Sequence, residues 1–351
     1  MKKFFLMMMM MVVLGFVFAG ASPAEAGEKY KVAWSHYTGW EPWEYADHSG
    51  ILKKWADKYG IEIELVLVND YIESINQYTS GIFDACVMTN MDALTIPAMG
   101  GIDSTALIVG DYSNGNDGIV AQDGTMDIKG LKGKQISLVE LSVTHYLMAR
   151  AFYMNGIGER DVTIVNTSDA DIGSLFASGQ AQITGTWNPI LMKVRQAPKA
   201  RLLFDSSMIP GEILDLMVVH TSASDSLKKA LVGAWYETMQ VMSGSDAKAK
   251  ASIQYMAQFA GASEAEFRAQ LKTTRMYYTP AEAVKFTEGT ELTKVMDYVR
   301  QFCQGHGLYP QGSSLDYVGI QFPNGSVLGS PKNVKLRFDS KFMKMAADGQ
   351  L

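Results

Sequence analysis

Residues 61–89 read IEIELVLVNDYIESINQYTSGIFDACVMT. The first eight residues, rich in Ile, Leu and Val, predict a strand. "DYIESINQYTSG" carries apolar residues at helical spacing and closes on Gly81, and "FDACVMT" is a second apolar strand. A strand, a helix of this length and another strand predict a parallel, doubly wound α/β sheet. Upstream, "KYKVAWS" is a strand and "GILKKWADKYG" a helix that stops at Gly60. Downstream, the loop "NMDALTIPAMGG" leads to the strands "STALIVGDY" and "GIVAQDG", which flank the polar turn "SNGND". A second alternating set follows, with strands at "GKQISLVE", "DVTIVN" and "AQITGTW" and helices at "SVTHYLMARAFYMNG", "ADIGSLFASGQ" and "NPILMKVRQA". "ILDLMVVHT" then predicts a strand returning to the first set, and the remaining chain is mostly helical. The plan is α/β, with one doubly wound lobe (27–118 and 219–351) interrupted by another (119–218). Such folds bind a ligand between the lobes, at the carboxyl ends of the strands.

The first 26 residues have the order of a secretory signal peptide. Lys2 and Lys3 precede an apolar run from Phe4 to Ala19, and Ala24-Glu25-Ala26 is a small-x-small cleavage site. Without these residues the chain holds 29 basic and 36 acidic side chains, a charge of −7. A mildly acidic, exported chain is a poor partner for nucleic acid or anionic membrane. No later stretch has the length and apolarity of a membrane span. Cys86 sits in an apolar strand and Cys303 lies far away in sequence; two buried free thiols are expected rather than a disulfide. The five histidines show no His-x-x-x-His spacing, and Gly-x-Ser-x-Gly and phosphate-loop patterns are absent. Neither a metal, nor a cofactor, nor catalysis is expected.

Three stretches carry a family resemblance. "SVTHYLMARAFYMNGI…VTIVN", "ITGTWNP" and "ILDLMVV" are similar to the taurine-binding periplasmic proteins. These belong to the substrate-binding proteins of nitrate, sulfonate, taurine and thiamine-pyrimidine importers, the NMT1/THI5-like family. "WEPWEYADHSGILKKWADKYGI", "NDYIESINQYTSGIFDACVMTNMDALTIPAMGGIDSTALIVGDYSNGNDG" and "NTSDADI" resemble a subgroup encoded beside urea/guanidine carboxylases. Together these stretches cover most of residues 30–220. The resemblance implies a type II periplasmic binding fold: a hinged, monomeric protein of the periplasm that delivers a small nitrogen-rich solute to an ABC permease of the inner membrane. It also implies a remote enzyme alternative, since a thiamine-pyrimidine synthase shares the fold; that enzyme carries a cysteine-rich iron motif, and this chain does not.

The candidate site residues sit in the loops at the strand ends. In "SHYTGWEPWEY", Tyr37 and Trp40 can wall a flat or cationic ligand, with Trp43 packing beneath the next helix. Thr89 and Asn90 end a strand as the likelier ligand-facing pair, and Asp92 either caps the following helix or meets the ligand. Asp117 lies in ordinary turn chemistry, but it matches the taurine binders' ammonium-contacting acid. Ser142 or Thr144 can cap the second lobe's first helix, whose amides suit an anion; Thr144 is taken as a ligand contact, whereas His145 reads as structural. Trp187, ahead of Asn188-Pro189, is at the cleft edge, and the matching indole of the taurine binders lies against the ligand. Glu212 and Asp215 complete the set, and the resemblance matches Asp215 to a second ammonium contact. An aspartate flanked by Leu214, Leu216 and Met217 needs a cationic partner, from the ligand or from a lysine elsewhere. Aromatic faces with carboxylates and few local cations fit guanidinium first, neutral urea second and taurine-like zwitterions third.

Overall fold

A computed structural model describes residues 27–351. The expected signal peptide, residues 1–26, lies outside the described residues. Fourteen strands fall into two sheets. The first holds β1 (Lys29–Trp34), β2 (Glu62–Leu67), β3 (Ala85–Thr89) and β4 (Ser104–Ser113). The second holds β5 (Asp117–Ala121), β6 (Gln135–Leu138), β7 (Thr163–Asn166), β8 (Ile183–Trp187) and β9 (Arg201–Asp205). The chain then re-enters the first sheet with β10 (Leu214–His220), β11 (Thr274–Met276), β12 (Gly319–Gln321), β13 (Val327–Leu328) and β14 (Val334–Phe338).

The first sheet runs β13-β12-β14-β4-β10-β3-β1-β2, with β11 paired to the end of β4, and the second runs β7-β6-β8-β5-β9. In each sheet a parallel core is joined by one antiparallel strand that has crossed from the other lobe: β10 between β3 and β4, and β5 between β8 and β9. The sheets are therefore mixed rather than purely parallel. Every residue of β3, β5 and β8 is buried, as expected of strands covered on both faces.

The crossings occur at residues 114–116 and 206–213. Asp117 thus already belongs to the second sheet, and β10 lies wholly in the first. The second lobe is residues 117–205, shorter than the expected 119–218, because Leu214–Val219 is buried throughout and inserts between β3 and β4 of the first sheet. The "SNGND" turn is a knot of hydrogen bonds between the crossings. Ser206 Oγ meets Ser113 Oγ at 2.6 Å and accepts from the Gly115 amide at 2.7 Å. Asn188 donates to Asn116 Oδ1 at 2.6 Å. Gly115 takes φ +116°, which a side chain would strain.

The C-terminal helices pack on the first lobe. Cys86 and Cys303 are buried free thiols. No helix among the described residues is long and apolar enough to cross a membrane.

Candidate ligand site between the lobes

The strand registers assemble the site. Asp215 in β10 pairs across the first sheet with Asp111 in β4 on one side and Thr89 in β3 on the other. Directly opposed residues put their side chains on the same face about 5 Å apart. In the second sheet Asp117 of β5 pairs with Trp187 of β8. These two rows face one another across a cavity of about 10 Å³ that also involves Tyr37, Trp40 and Tyr71. That is room for about one water molecule, so the lobes are closed upon one another here.

Four aromatic rings wall it in succession. Tyr37 and Trp40 lie 5.1 Å apart between centroids, Trp40 and Tyr71 5.5 Å, and Tyr71 meets Trp187 edge-on at 5.7 Å. The Trp187 indole N–H reaches across the lobes to the His36 carbonyl at 3.4 Å. A fifth aromatic ring, Trp43, stacks on Trp235 behind the carboxylates, as packing rather than cleft wall. Gly39 lets the first-strand loop close down here, since a Cβ on it would sit 2.5 Å from Asp111 Oδ2.

The electrostatics are lopsided. Asp111, Asp117 and Asp215 are all buried. No Lys, Arg or His is among the described residues lining the cavity or the smaller one behind it. Both oxygens of Asp111 and Oδ2 of Asp215 are buried without a hydrogen-bond partner. Burial pushes Asp111 up to about 7, with the charge of Asp117 adding to the effect. Burial likewise pushes Asp117 up to about 7, against the Ser113 hydroxyl, which favours its charged form. Asp215 is raised well above the usual carboxylate range, by burial first and then by the charge of Asp111 beside it. Three buried carboxyl groups thus crowd together without a counter-charge from the described residues lining the cavity.

Of the residues singled out from sequence, Tyr37, Trp40, Thr89, Asp117, Trp187 and Asp215 line this cavity. Asn90, Asp92, Thr144 and Glu212 do not. The Asn90 amide pins the chain before β10, donating to the Glu212 carbonyl at 3.1 Å and accepting from the Leu214 N–H at 3.0 Å. Thr89, not Asp92, caps the short helix Asn90–Ala93. Asp92 instead accepts from the Tyr71 hydroxyl at 2.6 Å and the Thr89 hydroxyl at 2.8 Å, holding the Tyr71 ring against the cavity. Ser142 caps the helix Val143–Asn155; the Thr144 hydroxyl is buried without a hydrogen-bond partner, and its methyl lies 2.7 Å from where a Gly185 Cβ would sit. Glu212, expected to face the ligand, is held by Arg150 in a two-pronged ion pair of 2.7 and 2.8 Å and also accepts from Tyr146 at 2.5 Å. Asp111 and Tyr71 were not singled out. An aspartate inside the apolar run "STALIVGDYS" was the available signal for the first; nothing local marked the second.

A wider surface groove beside Trp55 and Tyr236 is open to solvent, and its Glu237 is already bound by Lys54 and by the Trp55 indole. It lacks the concentration of unpaired buried charge found between the lobes.

Residues 50–223 match the model of the family described as NMT1/THI5 like. This stretch is NMT1/THI5-like. It contains all of the second lobe and β10, and with them Thr89, Asp117, Trp187 and Asp215. A protein of Brucella abortus (strain 2308) described as a binding protein is 31% identical over 105 residues, which are 30% of this chain and 32% of that protein. The chain therefore spans about a third of the length of the curated relatives it matches. The alkanesulfonate-binding protein of Xanthomonas axonopodis pv. citri, solved bound to MOPS, superposes with a TM-score of 0.66 at 16% identity, over 82% of this chain and 96% of that one. A desulfurization enzyme superposes with a TM-score of 0.58 at 13% identity, over 92% and 100%. At such identities the likeness is one of fold: the periplasmic-binding-protein architecture, which carriers and an enzyme share.

Proposed function

We propose that the protein is the exported solute-binding component of an ABC-type importer and that it captures a small planar cation, guanidinium above all, between its lobes. The observation that carries this is the set of three buried, mutually repelling carboxyl groups, walled by four aromatic rings, with no basic side chain in the lining. Guanidinium is planar and permanently charged. It donates along its edges to carboxylates and lays its face on an indole. Binding it supplies the counter-charge that Asp215 and Asp117 lack. Urea has the same shape but no charge, so it would leave the desolvation of the carboxylates unrelieved. In this proposal Asp215, from one lobe, and Asp117, from the other, grip the cation, and Asp111 behind them reinforces the negative field. Trp187 and Trp40 supply the faces, and the two crossings at 114–116 and 206–213 act as the hinge.

A taurine-like zwitterion is the second reading, favoured by the likeness to an alkanesulfonate-binding protein and by the helix N-terminus at Val143, which borders the cavity. No Arg or Lys among the described residues accompanies that helix end in the lining. Calorimetric titration with guanidinium, urea and taurine separates the three. Tight binding of guanidinium alone supports the proposal, and tight binding of urea or taurine in its place overturns it.

A further inference from the structure

Outside the lining of the carboxylate cavity, a second polar cluster joins the two lobes. His145 in the helix Val143–Asn155 and Glu159 at the turn beyond it belong to the second lobe. His306, which caps the helix Thr290–Gly305, belongs to the first. The spacing of the histidines in sequence gave no sign of this meeting. His306 Nε2 lies 2.7 Å from both carboxylate oxygens of Glu159, and His145 Nε2 lies 3.0 Å from one of them.

The proton positions follow from the outer partners. His306 Nδ1 is 2.7 Å from the Phe302 carbonyl and must donate to it. Its Nε2 faces a carboxylate and must donate as well. His306 is therefore an imidazolium. His145 Nδ1 accepts the Leu141 amide at 3.0 Å, so its proton is on Nε2 and points at Glu159. Two histidines and a glutamate would also suit a zinc ion. Metal on His145 Nε2, however, would place a proton on Nδ1 against the Leu141 N–H, donor against donor. The cluster is built to hold protons.

The surrounding charges are already matched. Across the Phe302 ring lie Tyr146 and the Arg150–Glu212 pair, and on the His306 helix Arg300 is bound to Asp297 and Asp316. Arg160, beside Glu159 in the same turn, is a further cation facing solvent on the second lobe. The Arg150 guanidinium also rests over the Tyr298 ring of the other lobe at 5.4 Å.

We propose that His306 and Glu159 form a proton-dependent clasp that holds the two lobes together. Against the cost of burial, hydrogen bonds to Glu159 and the Phe302 carbonyl set the imidazolium of His306 above its ordinary range, and hydrogen bonds from His145 and His306 hold Glu159 down to about 2. A raised imidazolium stabilises the closed arrangement below its unperturbed range, near 6.5, and that stabilisation is lost as pH rises through the raised value. Closure is then easier in mildly acidic surroundings and release easier in alkaline ones. The inference rests on hinge closure from the proposed function, but not on the identity of the ligand.

The test uses ligand-free full-length mature protein, with spin labels on Lys53→Cys and Lys129→Cys, one exposed site per lobe; both native thiols are buried. Interlobe distances are measured from pH 5.5 to 8.5 in wild type, His306→Gln and Glu159→Gln. Asp111 and Asp117 also lose protons over this range and repel across the cleft, so the difference between wild type and variants carries the result. At pH 6 the closed-to-open ratio should be about tenfold higher in wild type than in either variant. In parallel, the His306 imidazole should titrate above the ordinary range by NMR, and return to it in Glu159→Gln. Coincident curves for wild type and Glu159→Gln, or an unshifted His306, overturn the clasp, as does a wild type whose closure responds to added zinc instead of to pH. If saturating guanidinium closes the variants while wild type shows no clasp, only the clasp fails. If guanidinium moves the lobes of none of them, closure itself fails.

Discussion

Glu212 and Asp215 stand three residues apart, both near the strand that returns to the first lobe, and their local sequence marks both as acids destined for a cleft. The structure treats them oppositely. Glu212 is clamped by Arg150 and Tyr146, so its charge is matched within the protein. Asp215 is buried beside Asp111 and has an oxygen with no partner. The difference teaches that burial of an acid is not by itself a sign of a ligand; burial without an internal counter-charge is. The partner that distinguishes them, Arg150, is 62 residues away from Glu212, beyond the reach of any local pattern.

The largest expected effect tests the unmatched side of the pair. Asp215→Asn should weaken guanidinium binding by ~100-fold or more, since removing one partner of a buried charge pair costs several kcal/mol. The thermal midpoint of the ligand-free variant should hold steady or rise, because a neutral amide replaces a buried carboxyl group whose ionisation is opposed by burial and by Asp111. A folded variant with wild-type affinity by calorimetry would remove Asp215 from the site. Glu212→Gln should behave in the reverse sense. It leaves Arg150 half-matched and should cost about 2 kcal/mol of unfolding free energy in denaturant titrations. That is less than the 3–5 kcal/mol of a fully buried pair, because both side chains keep some exposure. Guanidinium affinity should change little; a loss as large as that of Asp215→Asn would erase the distinction drawn here.

The pH response sharpens the same contrast. Asp111 and Asp117 sit at about 7, well above unfolded aspartate. The native ligand-free protein binds more protons than the unfolded chain between about pH 4 and 7, so its stability should fall as pH rises through that window. Guanidinium binding needs the charged carboxylates, so affinity should drop at least tenfold from pH 8 to pH 5.5. A flat profile would mean that these groups do not meet the cation. The smallest of these effects belongs to the walls. Trp187→Ala should cost roughly 1–2 kcal/mol of binding, the scale of a desolvated cation–π contact, and most of the ligand-induced change in fluorescence.

Much of this arrangement was legible along the chain. The change from apolar strand to helical spacing and back, at Ile61–Thr89 and again through the second lobe, marked both sheets. Tyr37, Trp40, Asp117, Trp187 and Asp215 lie at strand ends, where the fold places its cavity. What escaped depended on register and on distant partners. Asp111 joins the carboxyl cluster only because β10 inserts antiparallel beside β4. Tyr71 turns from an ordinary first-turn residue into a wall because Asp92 holds its hydroxyl. Asn90 and Asp92 look like ligand contacts in one dimension and prove to be the pins that hold other residues in place. The lobe boundary moved from 219 to the 206–213 crossing because an apolar run gives no sign of which sheet will receive it.

The central claim is that unmatched buried carboxylates select a cation over a neutral molecule of the same shape. Calorimetric titration of the mature wild-type protein at pH 8, with guanidinium chloride and with urea side by side, tests it most directly. Guanidinium should bind at least 100-fold more tightly than urea, with affinity falling as the pH is lowered. Equal affinity for the two, or tight binding of urea with no response to guanidinium, would contradict it.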